Sequence, residues 1–294
     1  MAQRQALVWP PVYGAANRRI KGFYPSVVLR DGIVPLLDNI ELQKANSQAT
    51  RISIRAIVPK SVLGEIREFV AVAGVNIEAI FPINHVLSDC FVVYFSFNKP
   101  ERVAHMYQST DSTTTITQIP TEELERRTSD YRIVRLTDMT IKISEQIAEL
   151  FLSMFSSYPV DISASAIRRM PEDHIVMAAY GGKELVSVFM ADIAQCFLDR
   201  SVSLNFFDFV NVVSVTDGLL LVPLMARRVI DITKTYVNPI IYAEARADIP
   251  GLQVCCARAG MIKSGTLVAS SLFRDHGEKE AEFRDTVVWY VPHT

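Results

Sequence analysis

Residues 174–193 read HIVMAAYGGKELVSVFMADI, two runs of β-forming residues around Gly181-Gly182. That pattern is the signal of a β-hairpin. Working outward, SLNFFDFVNVV (203–213) predicts a third strand, and VTDG (215–218) turns it into a helix from about Leu219 to Tyr236. NPIIYAEARA (238–247) predicts a fourth strand, and PGLQVCCARAG (250–260) a short helix that stops at Gly260. DTVVWYV (285–291) closes the sheet. Upstream of the hairpin, YRIVRL (131–136) opens this half as a strand, and Thr137 or Asp138 is placed to cap the next helix. In that helix Ile143, Ile147, Leu150 and Phe151 recur at helical spacing. After Tyr158-Pro159 a short helical stretch ends near Met170. The resulting order is β-α-α-β-β-β-α-β-α-β.

The first half has its own pattern. RISIRAIV (51–58) alternates polar and apolar residues, the period of a half-buried strand. SVLGEIREFVAVAG (61–74) carries Val62, Ile66, Phe69 and Val70 at helical spacing, and NIEAIFPI and DCFVVYFSF read as strands. Residues 108–130, QSTDSTTTITQIPTEELERRTSD, are rich in Ser, Thr and charge. Such a run buries too little to offset its ordering entropy, so it reads as a linker. The expected organisation is a small α/β domain over 1–108, a linker over 109–130, and a second domain over 131–294. The apolar strands at 89–97 and 285–291 are candidates to pair across a domain or subunit boundary, so a homodimer is open.

The 294 residues carry 30 Lys plus Arg against 32 Asp plus Glu, a formal charge of −2. That balance gives no global attraction to DNA or anionic lipid. Cys90, Cys196, Cys255 and Cys256 have neither disulfide-scaffold nor zinc spacing, and no metal is expected. His85, His105, His174, His276 and His293 also lack ligand spacing and are expected on the surface or in loops. The N-terminal stretch lacks the apolar core of a signal peptide, and no 18-residue apolar run exists. A cytoplasmic protein without a membrane partner is the expectation.

The element order resembles the GNAT acyltransferase plan, and short motifs extend the resemblance to the β-lysine N-acetyltransferase family. They are Ala245-Arg246-Ala247, Pro250-Gly251, Ala257-Arg258-Ala259-Gly260, Gly265-Thr266-Leu267 and Val288-Trp289-Tyr290. Tyr158-Pro159 and Asp208-Phe209 also sit where that family has Tyr-Pro and Asp-Phe. The resemblance implies an α/β (α+β) fold, a GNAT-type mixed sheet with flanking helices after a smaller, half-GNAT-like α/β domain. It implies an N-acyltransferase that moves an acetyl or other acyl group from acyl-CoA to the amine of a small amino-acid-like metabolite.

One segment departs from the pattern. GNAT enzymes hold the acyl-CoA diphosphate on free backbone N–H groups in an Arg/Gln-x-x-Gly-x-Gly/Ala turn before a helix. Here the turn reads Ser214-Val215-Thr216-Asp217-Gly218-Leu219-Leu220. The arginine is missing, one glycine remains, and Asp217 puts a negative charge where a diphosphate would sit. That repulsion costs on the order of 1–4 kcal/mol. Three readings stay open: Thr216 or Asp217 only caps the helix, CoA binds in an altered way, or the donor is carried by a carrier protein or a tRNA. The resemblance implies that the donor-binding positions are Val210, Val212, Thr216, Asp217, Gly218 and Leu219.

Acyl transfer to an amine needs a base, a polarised carbonyl and a proton for the leaving thiolate. Asp208 interrupts an aromatic run, and apolar surroundings raise a carboxyl pKa toward the range of a base. The family places a proton-donating Tyr four residues before the glycine that ends the last helix. That position is Cys256, whose thiol is a candidate donor, with Tyr290 or Tyr242 reaching from a strand as the alternatives. Arg246, after YAEA, suits a substrate carboxylate or a pair with Glu244 or Asp248. Glu244 suits a substrate ammonium, and Tyr158 completes the substrate-binding candidates.

Overall fold

The computed structural model describes residues 12–14, 18–28, 33–45, 48–83, 87, 89–104, 118–157, 161–198, 202–275 and 277–292. Its first half contains strands β1 (Val12–Gly14), β2 (Arg19–Val27), β3 (Arg51–Pro59), β4 (Asn76–Pro82) and β5 (Cys90–Asn98). Helices α1 (Ile33–Lys44), α2 (Leu63–Val72) and α3 (Pro100–Ala104) accompany them, and α4 (Thr121–Arg127) follows. The second half contains β6 (Tyr131–Leu136), α5 (Ile141–Met154), β7 (Phe155–Ser157), α6 (Ala164–Ile167), β8 (His174–Gly181), β9 (Glu184–Leu198) and β10 (Val202–Ser214). It ends with α7 (Gly218–Thr233), β11 (Pro239–Arg246), α8 (Pro250–Arg258), β12 (Ile262–Asp275) and β13 (Glu282–Tyr290). The mixed α/β class is present, and the expected element order holds except for two added strands, the short β7 after α5 and β12 between α8 and the closing β13.

The strands form two sheets, β1-β2-β3-β5-β4 and β6-β8-β9-β10-β11-β13-β12-β7. In the second sheet only β10 and β11 run parallel among the described pairs, and α7 supplies the crossover that a parallel pair requires. Strands β5 and β13 lie inside their sheets, not at an edge available to a second subunit.

Each face of the larger sheet has a different cover. Helices α7 and α8 pack over Met177, Phe189, Phe207, Phe209, Ala243 and Trp289. On the opposite face α5 and α6 cover Val176, Ala178, Val188 and Met190. The rest of that face, with Phe206, Ile240, Tyr242, Leu267 and Val288, is covered by the smaller sheet through Phe23, Ile57, Phe81, Val92 and Tyr94.

This sheet-on-sheet contact corrects the reading of β3. Its apolar residues Ile52, Ile54, Ala56 and Val58 pack under α1 and α2, but the intervening Arg51, Ser53 and Arg55 are buried as well. The alternation marks two buried faces, one apolar and one charged against the larger sheet. The expected linker is also partly built. Leu124 of α4 and Ile119 pack on Leu224 of α7, and Arg227 donates to Thr121 Oγ1 (2.8 Å) and to the Ile119 carbonyl (2.6 Å). Helix α5 is capped by Thr140 Oγ1, which accepts from the Ile143 N–H, not by Thr137 or Asp138. His174 is buried and not on the surface; the other four histidines lie outside the described residues. No helix among the described residues is long and apolar enough to cross a membrane.

Where the sheets meet, β4 lies against β12. The Ser264 hydroxyl donates to the Ile80 carbonyl (2.7 Å) and accepts from the Ile80 N–H (3.0 Å). At the next residue, a Cβ on Gly265 would stand 2.1 Å from the Glu78 carbonyl oxygen and 2.8 Å from Ala79 Cα. Backbone cannot retreat as a side-chain tip can. Gly265→Ala is therefore expected to destabilise the chain by about 1–3 kcal/mol, measured by urea unfolding.

Candidate active site

The site begins where β10 and β11 separate. They pair over residues 205–209 and 239–243. Strand β10 is irregular against β9 between Phe209 and Asn211, then follows β9 to Ser214. Strand β11 instead stays with β13 as far as Arg246. A bulge bends its strand away from the partner, and the wedge so opened contains a cavity of about 80 Å³. Its walls are Phe209 and Val212 of β10, Val222 and Ala226 of α7, Ala243 and Ala245 of β11, and Leu252, Cys255 and Cys256 of α8. Glu244, Arg246, Phe155 and Phe273 also line it. A narrow, mostly apolar cavity between diverging strands suits a flexible thioester arm.

The turn before α7 joins β10 to that helix. Asp217 has a left-handed backbone (φ 44°) and makes no side-chain cap, so neither Thr216 nor Asp217 caps α7 through its side chain. The exposed Asp217 carboxylate accepts from the Tyr131 hydroxyl (2.6 Å), and the Thr216 carbonyl accepts from Ser214 Oγ. Gly218 begins the helix, and its added Cβ would lie 3.2 Å from Ser214 Cβ. Arg258 of α8 donates to the Leu219 carbonyl (2.8 Å). This places a guanidinium beside the helix start whose own turn lacks the expected arginine, a contribution from α8 that a reading of the turn alone misses. Val212 lines the cavity, Leu219 is exposed, and nothing is described of the Val210 side chain.

Asp208 and Glu244 lie on the face covered by the smaller sheet, in a buried polar cluster. Tyr242 donates to Asp208 Oδ2 (3.0 Å) and accepts from Arg55. Lys21 of β2 donates to Glu244 Oε1 (3.0 Å) and lies 4.0 Å from Asp208 Oδ2. Tyr94 of β5 donates to Glu244 Oε1 at 3.5 Å. Asp208 Oδ1 is buried with no hydrogen-bond partner among the described residues. Burial, opposed by Lys21, raises the Asp208 pKa to about 6. Burial also acts on Glu244, but Lys21, Arg19 and Arg55 outweigh it and hold that carboxyl well below its usual range. Two carboxylates in one cluster are thus driven apart, one toward the proton-accepting range and one fixed as an anion.

The remaining candidates are placed differently. Arg246 is buried and engaged: it makes paired hydrogen bonds to Asp248 (3.0 and 2.7 Å) and to Asp275 (2.6 and 2.8 Å) and lies over the Phe273 ring. With both forks occupied it has no free donor pair for a substrate carboxylate; it fixes β11 to the end of β12. Burial raises the thiol pKa of Cys256, which lines the cavity, so it is a poor proton donor. Tyr290 is not at the cavity and stacks on Phe81 of the smaller sheet (5.4 Å). Tyr158 lies outside the described residues. Lys21, Arg55 and Tyr94 are the cluster members that the sequence did not single out.

No protein-family model and no curated protein matches the chain. Solved structures similar to it are acetyltransferases. NAA60 of Arabidopsis thaliana with acetyl-CoA is 12% identical with a TM-score of 0.41, over 54% of this chain and 96% of that one. A spermidine N-acetyltransferase variant from Vibrio cholerae is 14% identical with a TM-score of 0.41, over 55% and 94%. An acetyltransferase of the GNAT family from Desulfovibrio desulfuricans is 13% identical with a TM-score of 0.38, over 55% and 98%. Each likeness covers little more than half of this chain.

Proposed function

We propose that the chain is a GNAT-type N-acyltransferase that transfers an acetyl or other acyl group to the amine of a small, amino-acid-like metabolite. The observation that carries this reading is the apolar cavity between the separated β10 and β11, with Glu244 in its wall and Asp208 in the adjoining cluster. Residues 131–294 supply the cavity, and the smaller sheet covers its carboxylates. Val212, Leu252, Cys255 and Cys256 would hold the pantetheine arm of acetyl-CoA or another acyl-CoA, which brings the electrophilic carbonyl and the thiol leaving group. Glu244, kept ionised, attracts the acceptor's ammonium. Asp208, with its raised pKa, takes the proton that frees the amine lone pair.

The Asp217 carboxylate at the start of α7 favours a second reading, in which the thioester arrives on a carrier protein or the acyl group on a tRNA. Calorimetric titration with acetyl-CoA and CoA separates the two. Micromolar binding supports the CoA reading, and no binding at millimolar CoA overturns it in favour of a carried donor or a binding protein without chemistry. Asp217→Gly sharpens the test. Glycine adopts the left-handed backbone freely, and removing the exposed charge should tighten CoA binding by about 1 kcal/mol, close to fivefold. An unchanged affinity in that titration would mean that no diphosphate sits at the turn.

A further inference from the structure

Sheet β1-β2-β3-β5-β4 places an amine of this chain beside the two carboxylates to which the proposed function assigns the acceptor amine. Lys21 reaches from β2 into the buried face, between the two carboxylates of the proposed site. Its Nζ is 3.0 Å from Glu244 Oε1, 4.0 Å from Asp208 Oδ2, and its side chain is 15% exposed. Glu244 is among the residues that line the cavity, and Lys21 is hydrogen-bonded to it. We propose that Lys21 is an acyl acceptor of this site, so that the chain transfers an acyl group from a bound thioester to its own Lys21 Nζ. The inference rests on the acyltransferase reading above and names one acceptor for it.

The chemistry balances with the groups in place. The Lys21 ammonium gives one proton to Asp208 once the 4.0 Å between them closes to hydrogen-bond reach or is bridged by a water, which frees the nitrogen lone pair. Nζ attacks the thioester carbonyl carbon, the C–N bond forms and the C–S bond breaks. The second nitrogen proton leaves with the thiolate, giving an amide on Lys21 and a free thiol. Charges from several elements face Nζ: Glu244 on β11, Asp208 on β10, Arg19 on β2 and Arg55 on β3. Burial, reinforced by Arg55 and Arg19 and opposed by Glu244 and Asp208, lowers the lysine pKa, which raises the fraction of nucleophilic amine at neutral pH.

The test incubates the full chain with acetyl-CoA and follows acetylation of each lysine by peptide mass spectrometry, with calorimetry of acetyl-CoA binding in parallel. The proposal expects Lys21 to gain one acetyl group at a rate independent of protein concentration, as for an intramolecular step. Asp208→Asn should slow that gain on the order of 10²-fold or more. Lys21→Arg, which keeps the charge beside Glu244, should bind acetyl-CoA as before and show no acetyl group at that position. The proposal is overturned if Lys21 stays unmodified while acetyl-CoA binds; the acyltransferase reading then survives alone. It is also overturned if Lys21 is acetylated no faster than the exposed Lys234, or equally fast in Asp208→Asn. Absence of acetyl-CoA binding overturns the CoA reading and this inference together.

Discussion

Replacing Arg51 with methionine is expected to lower the unfolding free energy by about 3–5 kcal/mol, because it leaves a buried carboxylate without its counter-charge. The Arg51 side chain is fully buried, and Glu78 is 6% exposed. Arg51 holds both Glu78 oxygens, and its Nη1 also donates to Asn98 Oδ1 (2.9 Å) and to the Val268 carbonyl (2.7 Å). Val268 belongs to β12, and its N–H in turn donates to Glu78 Oε1. The group therefore joins the two sheets as well as β3 to β4. In urea unfolding, Arg51→Met with Glu78→Leu should recover a large part of the loss, since removing both charges removes the uncompensated one. A cost below about 1 kcal/mol for the single variant would be that of a solvated surface pair, and would contradict the burial.

Asp208→Asn should separate catalysis from stability. Turnover is expected to fall by about 10²–10⁴-fold, the usual contribution of a positioned base. In the wild type, kcat/KM should rise with pH through about 6 and then level off, as Asp208 loses its proton. Stability moves the other way. The folded-state pKa lies above the unfolded one because burial penalises the charge, so the native state binds more protons between about pH 4 and 6. Wild-type stability should therefore fall relative to the Asn variant over that window, with a constant gap above it. Retained activity in the Asn variant would exclude Asp208 as the base; a gap that does not change with pH would exclude its raised pKa.

Much of the second half was legible because burial imposes a period on the chain. The β8–β9 hairpin, α7 and α8 follow from local spacing and from the Gly181-Gly182 turn. Asp208 and Glu244 stood out as carboxylates within apolar strands. Their partners did not, because Lys21 is separated from Glu244 by 223 residues, and a polar residue on an alternating strand reads the same whether it meets water or another sheet. Arg246 shows the same limit. Its pair with Asp248 is local, whereas Asp275, which occupies the other fork, is 29 residues away. The turn before α7 left three readings open, because sequence does not show that the Asp217 carboxylate turns to Tyr131.

The charged face of the smaller sheet also matters before the fold is complete. On the ribosome, β2 and β3 emerge well before β10 and β11, so Arg19, Lys21 and Arg55 exist for a time without Asp208 and Glu244. Cations along unsatisfied strands deter stray strand pairing and aggregation. The nascent sheet therefore carries its own protection on the surface that will later be its interface. Those charges are neutralised when Asp208 and Glu244 arrive opposite them.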